Sequence, residues 1–100
     1  MTDLEISKQL ALAIGYRLED MFQQRSTVTD AEWQMVRHDG SWMVFDYLEW
    51  DVIAPIAVRY NCFPICASDN LWFTHEAKYF VCETTPQKAI AMNVINRSKK

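Results

Sequence analysis

The sequence predicts an α+β fold in which three helices pack around a short antiparallel sheet, as an α-β-α layered sandwich. Three observations predict it. Apolar stripes of helical period stand at the start, the middle and the end of the chain. Short segments punctuated by turn residues lie between them. The 100 residues are 50% hydrophobic, with only two Gly and three Pro, which suits one core and leaves no long linker. The expected order is α-β-(β)-α-β-β-β-α in a single domain spanning residues 1–100. Helices on both faces of the sheet are the first expectation, and two layers are the alternative.

The first helix is expected over Asp3–Phe22. Thr2-Asp3-Leu4-Glu5 matches a capping box, in which the Thr2 hydroxyl accepts from the Glu5 backbone N–H. Ile6, Leu10, Ile14, Leu18, Met21 and Phe22 form the stripe, widened by Ala11 and Ala13. Gly15 costs about 1 kcal/mol against Ala inside an exposed helix, so it either admits a close neighbour or marks an early end. Residues 23–30 are polar and read as a loop. Trp33, Met35 and Arg37 then alternate with Gln34, Val36 and His38, and Asp39-Gly40 supplies a turn before Trp42-Met43-Val44-Phe45. This pattern reads as a β-hairpin, although the apolar run Trp42–Phe45 could also lead straight into the next helix.

Asp46 and Glu49 are spaced as a second capping box, and Phe45 and Trp50 as a hydrophobic staple. Trp50, Ile53, Ala54, Ala57 and Tyr60 make one helical face. Pro55 interrupts the ladder, because it has no N–H to give Asp51, and a kink is expected there. Asn61 is a suitable helix end. Cys62–Cys66 opens the second β region, with Pro64 restricting it to an edge or a bulge. Residues 67–70 form a turn. Leu71–His75 and Lys78–Cys82 read as two further strands of a meander. Thr85 caps the last helix and Pro86 takes its first position, where a missing N–H is no loss; the helix runs to about Arg97.

Charge limits the partners. The net charge is −3 and the pI is about 5.2, whereas a domain that neutralises many phosphates is basic, so nucleic acid is an unlikely partner. The basic C-terminal cluster Arg97, Lys99, Lys100 reads as a solvated tail helped by a helix dipole. No apolar run approaches the roughly 18 residues of a membrane span. The acidic N-terminus has none of the marks of a signal peptide. An odd number of cysteines, three, suits a reducing compartment.

Phe45-Asp46-Tyr47-Leu48-Glu49-Trp50, with Val52–Ala57 and Tyr60–Pro64 after it, resembles a segment of small proteins from tailed phages and prophages. Thr85–Met92 resembles their closing helix, and Ser7–Arg17 their opening one. The group is the phage α-β-α (ABA) sandwich family, and the resemblance covers most of the chain apart from residues 23–30. It implies a layered fold, a phage or prophage origin and the host cytoplasm as the place of action. It carries over no catalytic residue.

Motifs of chemistry are few. Cys62, Cys66, Cys82 and His75 could be drawn as a Cys3His zinc site, but no Cys-x2-Cys pair exists; small buried hydrophobes and a strand histidine explain them better. A Cys–His nucleophile with His38 or His75 lacks an activating environment. Asp46 and Glu49 are already explained as caps, and two glycines cannot build a phosphate loop. No catalytic residue, metal or cofactor is assigned. Four Trp and four Tyr are too many rings for all to be fully buried in so small a core. Most should pack with one edge exposed. The alternative is a binding patch, for which Trp33, Trp42, Tyr47 and Trp72 are the candidates. The expected function is that of a non-enzymatic accessory protein that binds a host or phage protein, or a second copy of itself, and modulates a host factor or host defence. The competing reading is a small-ligand or nucleotide-binding module with an aromatic pocket.

Overall fold

The computed structural model describes residues 1–74 and 82–99. The predicted strand Lys78–Cys82 therefore lies outside the described residues except for Cys82, and so does His75. The fold class is α+β, with three α-helices and two small antiparallel sheets. The chain divides into two compact units, Met1–Asp46 and Tyr47–Lys100.

In the first unit, α1 spans Asp3–Ala13, and Glu5 N–H donates to Thr2 Oγ1 at 3.2 Å, as the capping box requires. The helix stops nine residues before its predicted end at Phe22. Gly15 takes φ +115°, its N–H donates to the Leu12 carbonyl, and Tyr16 N–H donates to the Ala11 carbonyl at 3.1 Å. That pair of bonds is a Schellman ending, and it requires a residue with positive φ just past the helix. A Cβ built on Gly15 meets nothing within 4 Å, so the glycine serves the turn and not a close neighbour. After one 3-10 turn, Leu18–Asp20, the residues expected to be helix end and loop form strand β1, Met21–Arg25. Strand β2 (Glu32–His38) follows, then β3 (Ser41–Val44) across the Asp39-Gly40 turn, both of whose residues have positive φ. The sheet order is β1-β2-β3, antiparallel throughout. Helix α1 packs on β2, and Ile6, Leu10, Ala11, Val36 and Phe45 are the buried apolar residues.

In the second unit, α2 spans Trp50–Tyr60 with Glu49 at its N-cap and no side-chain capping bond. The N-cap is therefore Glu49 and not the predicted Asp46, and the start moves three residues along the chain. Phe45 N–H donates to the Gln34 carbonyl at 2.7 Å, which continues the β3 ladder by one residue. Phe45 and Trp50 lose the staple spacing, and Trp50 is 49% exposed. The buried positions of α2 are Ile53, Ile56 and Ala57, one step round from the predicted face. Its end is as predicted: Asn61 takes φ +52° and Cys62 N–H donates to the Ala57 carbonyl at 3.0 Å, a second Schellman ending with Asn in place of Gly.

Strands β4 (Pro64–Ser68) and β5 (Leu71–Thr74) make a hairpin with Asn70 at positive φ and a register shift between Cys66 and Ser68. Pro64 sits at the first position of its strand, where it removes least. Helix α3, Pro86–Ser98, starts as predicted, with Lys88 N–H donating to Thr85 Oγ1 at 3.1 Å. It packs on α2, β4 and β5 and buries Ala89, Ile90, Ala91, Asn93, Val94 and Ile95. The Asn93 amide donates to Thr74 Oγ1 at 2.7 Å, and Arg97 Nη1 donates to the Tyr60 carbonyl at 2.7 Å at the end of α2.

Candidate protein-binding face

The pleat of the first sheet sorts its side chains onto two faces. The register pairs Phe22 with Met35, Met35 with Val44, Arg37 with Trp42 and Gln24 with Trp33. Those residues all point one way. Gln34 and Val36 point the other way, where both are buried. The outer face therefore gathers Phe22, Trp33, Met35, Trp42 and Val44, with Arg37 among them. Phe22 and Trp33 are each 40% exposed, Trp42 43% and Val44 46%.

These rings are held in place. Phe22 and Trp42 meet edge to face, with centroids 4.7 Å apart and planes at 74°. The Arg37 guanidinium lies 5.5 Å from the Trp42 ring centroid, and its Nε donates to Asp20 Oδ1 at 3.0 Å. Asp20 thus anchors Arg37, and Arg37 braces Trp42. An edge-to-face pair contributes about 0.5–1.5 kcal/mol beyond area, and an exposed cation–π contact about 0.5–1 kcal/mol. Trp33 stands four residues from Arg37 along β2, roughly 13 Å at 3.3 Å per residue, so the two tryptophans mark opposite ends of the patch.

Of the four aromatic candidates, the structure brings Trp33 and Trp42 together on one face. Tyr47 is 1% exposed, a core ring of the second unit, and cannot meet a partner. It opens the segment between the first sheet and α2. Trp72 is half-buried on β5, also in the second unit. Sequence reasoning missed Phe22 because it counted that residue as helical. Met35 and Arg37 were visible in the β2 alternation, and Val44 in the β3 run.

The electrostatics of the first unit are one-sided. It carries eight Asp and Glu against four Lys and Arg. Its three arginines are paired within the unit, Arg17 with Glu19, Arg25 with Glu32 and Arg37 with Asp20.

Other chemistry is sparse. An open cavity of about 240 Å³ is lined by Lys8, Leu18, Met21, Phe22, Gln23 and Gln34. Phe22 is the only ring among its described lining residues. Gln34 Nε2 donates to the Phe22 and Met35 carbonyls, both at 3.2 Å, while its Oε1 is buried with no partner among the described residues. His38 accepts or donates at Nδ1 with the Tyr16 hydroxyl at 3.5 Å, and its Nε2 lies 3.3 Å from Asp39 on an exposed surface. Cys62 is buried, and burial pushes its thiol pKa up while Arg97 pulls it partly back. That is the reverse of what a nucleophile needs. Cys66 and Cys82 are exposed. Among the described residues no three His, Cys, Asp or Glu side chains are placed to hold a metal ion, and no helix is long and apolar enough to cross a membrane.

Comparison of the chain with protein-family models, curated proteins and solved structures finds no match in any of the three.

Proposed function

We propose that the chain is a small non-enzymatic binding protein whose working surface is the outer face of the first sheet. The observation that carries this reading is the collection of Phe22, Trp33, Met35, Trp42 and Val44 on one exposed sheet face. Scattered exposed apolar residues need no explanation, but a contiguous aromatic patch on a braced scaffold is the usual form of an anchor site. Trp42, already braced by Arg37 and Asp20, loses little freedom on binding, which keeps the cost of association low.

The particular protein we propose is a phage or prophage accessory factor. It acts in the host cytoplasm and engages a host or phage protein, with a host factor or a defence component as its target. The support for this narrower reading is the resemblance of the opening, central and closing segments to the phage α-β-α sandwich group. The test places a photo-crosslinking residue at Gln24, beside Trp33 on the patch, in host cells. A single adduct is expected, identified by mass spectrometry, reproduced with purified partner and lost on Trp33→Ala with Trp42→Ala. Absence of any adduct, together with an unchanged outcome of infection, would sink the reading.

A second reading rests on the cavity beside Gln34, whose unpartnered amide oxygen stands in its wall residue. A small-ligand module predicts a specific compound that raises the melting temperature by several degrees, since a ligand at 100 times its Kd adds about 2.7 kcal/mol. Gln34→Leu would abolish that shift and leave the crosslink at Gln24 intact.

A further inference from the structure

We infer that the partner docks as an extended, basic segment that adds a strand to the free edge of β3, an inference that rests on the proposed binding role of this face. The argument starts from one hydrogen bond. Phe45 N–H donates to the Gln34 carbonyl, so residues of the same parity on β3, Ser41 and Met43, turn their backbone groups toward β2. Trp42 and Val44 therefore turn theirs outward, to the side where no strand pairs with β3 among the described residues. The same two residues supply one flank of the aromatic face. A strand laid along this edge would bond to Trp42 and Val44 and set alternate side chains beside their apolar groups.

Edge strands are normally guarded by charge, proline, a bulge or a covering element. Ser41-Trp42-Met43-Val44 has none of the first three, and all four residues are exposed. The opposite edge differs. Ser26 N–H donates to the Ala31 carbonyl, which by the same parity leaves Met21, Gln23 and Arg25 facing outward on β1, so that edge carries a charge. Strand addition is a common mode of segment recognition, with the ladder giving affinity and alternate side chains giving selectivity.

Charge selects the occupant. Eight carboxylates against four cations, with every arginine already paired, make the first unit attractive to a cationic segment. A second copy would bring the same acidic surface against itself, with Asp39 and Asp46 at the two ends of the uncharged strand.

The test is a yeast-displayed library of random twelve-residue peptides panned against the full chain. Enriched peptides should alternate apolar residues, carry net positive charge and lose binding on Trp33→Ala with Trp42→Ala. Val44→Pro removes an outward N–H and no ladder bond to β2, so it should keep the wild-type melting temperature and weaken binding about tenfold. Should that variant unfold, the peptides answer alone: N-methylation at alternate backbone positions should weaken binding about tenfold, and at the intervening positions very little. Peptides that need the tryptophans but ignore both Val44→Pro and N-methylation overturn strand addition and leave the aromatic face standing. Neutral or acidic enriched peptides overturn the basic partner. A chain that dimerises in sedimentation and becomes monomeric with Val44→Pro gives the edge to a second copy and overturns the inference. Failure to enrich any tryptophan-dependent peptide overturns both the inference and the role of the face.

Discussion

Gly15→Ala tests the local architecture through the sign of its effect. In the structure Gly15 takes φ +115° at the Schellman end of α1, and a Cβ there would touch nothing within 4 Å. The substitution therefore adds no clash, and its cost is purely conformational. A non-glycine residue in left-handed backbone costs about 1–2 kcal/mol, and the stiffer unfolded chain returns about 0.4–1 kcal/mol of that. The net expectation is a loss of about 1 kcal/mol. Had the helix continued to Phe22, as the apolar spacing alone suggests, the same change would remove an interior glycine and stabilise by about 1 kcal/mol. The two arrangements are separated by about 2 kcal/mol with opposite signs. Thermal unfolding followed by circular dichroism resolves this, since 1 kcal/mol moves the midpoint of a domain this size by about 4–8 °C. A higher midpoint with greater helicity would refute both the early end of α1 and the strand β1 that depends on it.

Trp33→Ala with Trp42→Ala should cost about 1–2.5 kcal/mol through the lost edge-to-face and cation–π contacts of Trp42, leave the chain folded, and abolish capture of the partner; calorimetry and the crosslinking assay check the two halves. Thr74→Val should cost about 1–3 kcal/mol in urea unfolding, because it leaves the buried Asn93 amide with no acceptor; adding Asn93→Leu should recover part of the loss. Cys62 should resist thiol reagents until the chain unfolds, while Cys66 and Cys82 react in the native state. Burial raises the Cys62 pKa above its ordinary 9.0, so the folded chain holds that proton longer than the unfolded one. The contribution to stability is complete below the ordinary value and declines as pH rises through it toward the raised one, and Cys62→Ala should flatten this alkaline slope in urea titrations.

The elements that were legible in the sequence are those set by one local rule. Thr2 and Thr85 each accept from the N–H three residues on, and Asp39-Gly40 and Asn61 each supply the positive φ their turns need. The misreadings arose where two local rules competed. Met21 and Phe22 continue a helical stripe, but Gly15 has already ended the helix and left them free for the sheet. Their strand, Met-Phe-Gln-Gln-Arg, has no alternation of apolar and polar residues, because Phe22 lies on the outer face and Met21 on the inner one. Asp46 and Glu49 have the spacing of a cap, but the ladder runs on through Phe45 and the helix takes Glu49 as its N-cap. The candidate face was half legible for the same reason. The β2 alternation put Trp33, Met35 and Arg37 on one side, whereas Phe22 and the ladder parity of β3 depend on pairings that no single segment encodes.

The acidity of the first unit and its exposed edge are best understood together. An uncharged strand with open backbone groups invites pairing with any copy of itself, and a chain with such an edge would tend to aggregate. The eight carboxylates of the first unit, against four cations, work against that outcome at long range, since like-charged molecules repel before their edges can meet. On the proposed reading the same field also disfavours nucleic acid, whose stacking platforms pair aromatic rings with basic neighbours. What remains attracted is a cationic chain able to lie extended. On the proposed reading, then, the charge performs the selection and the rings and the ladder perform the holding. The two contributions should separate experimentally: added salt should slow association while changing dissociation little, and loss of Trp42 should do the reverse.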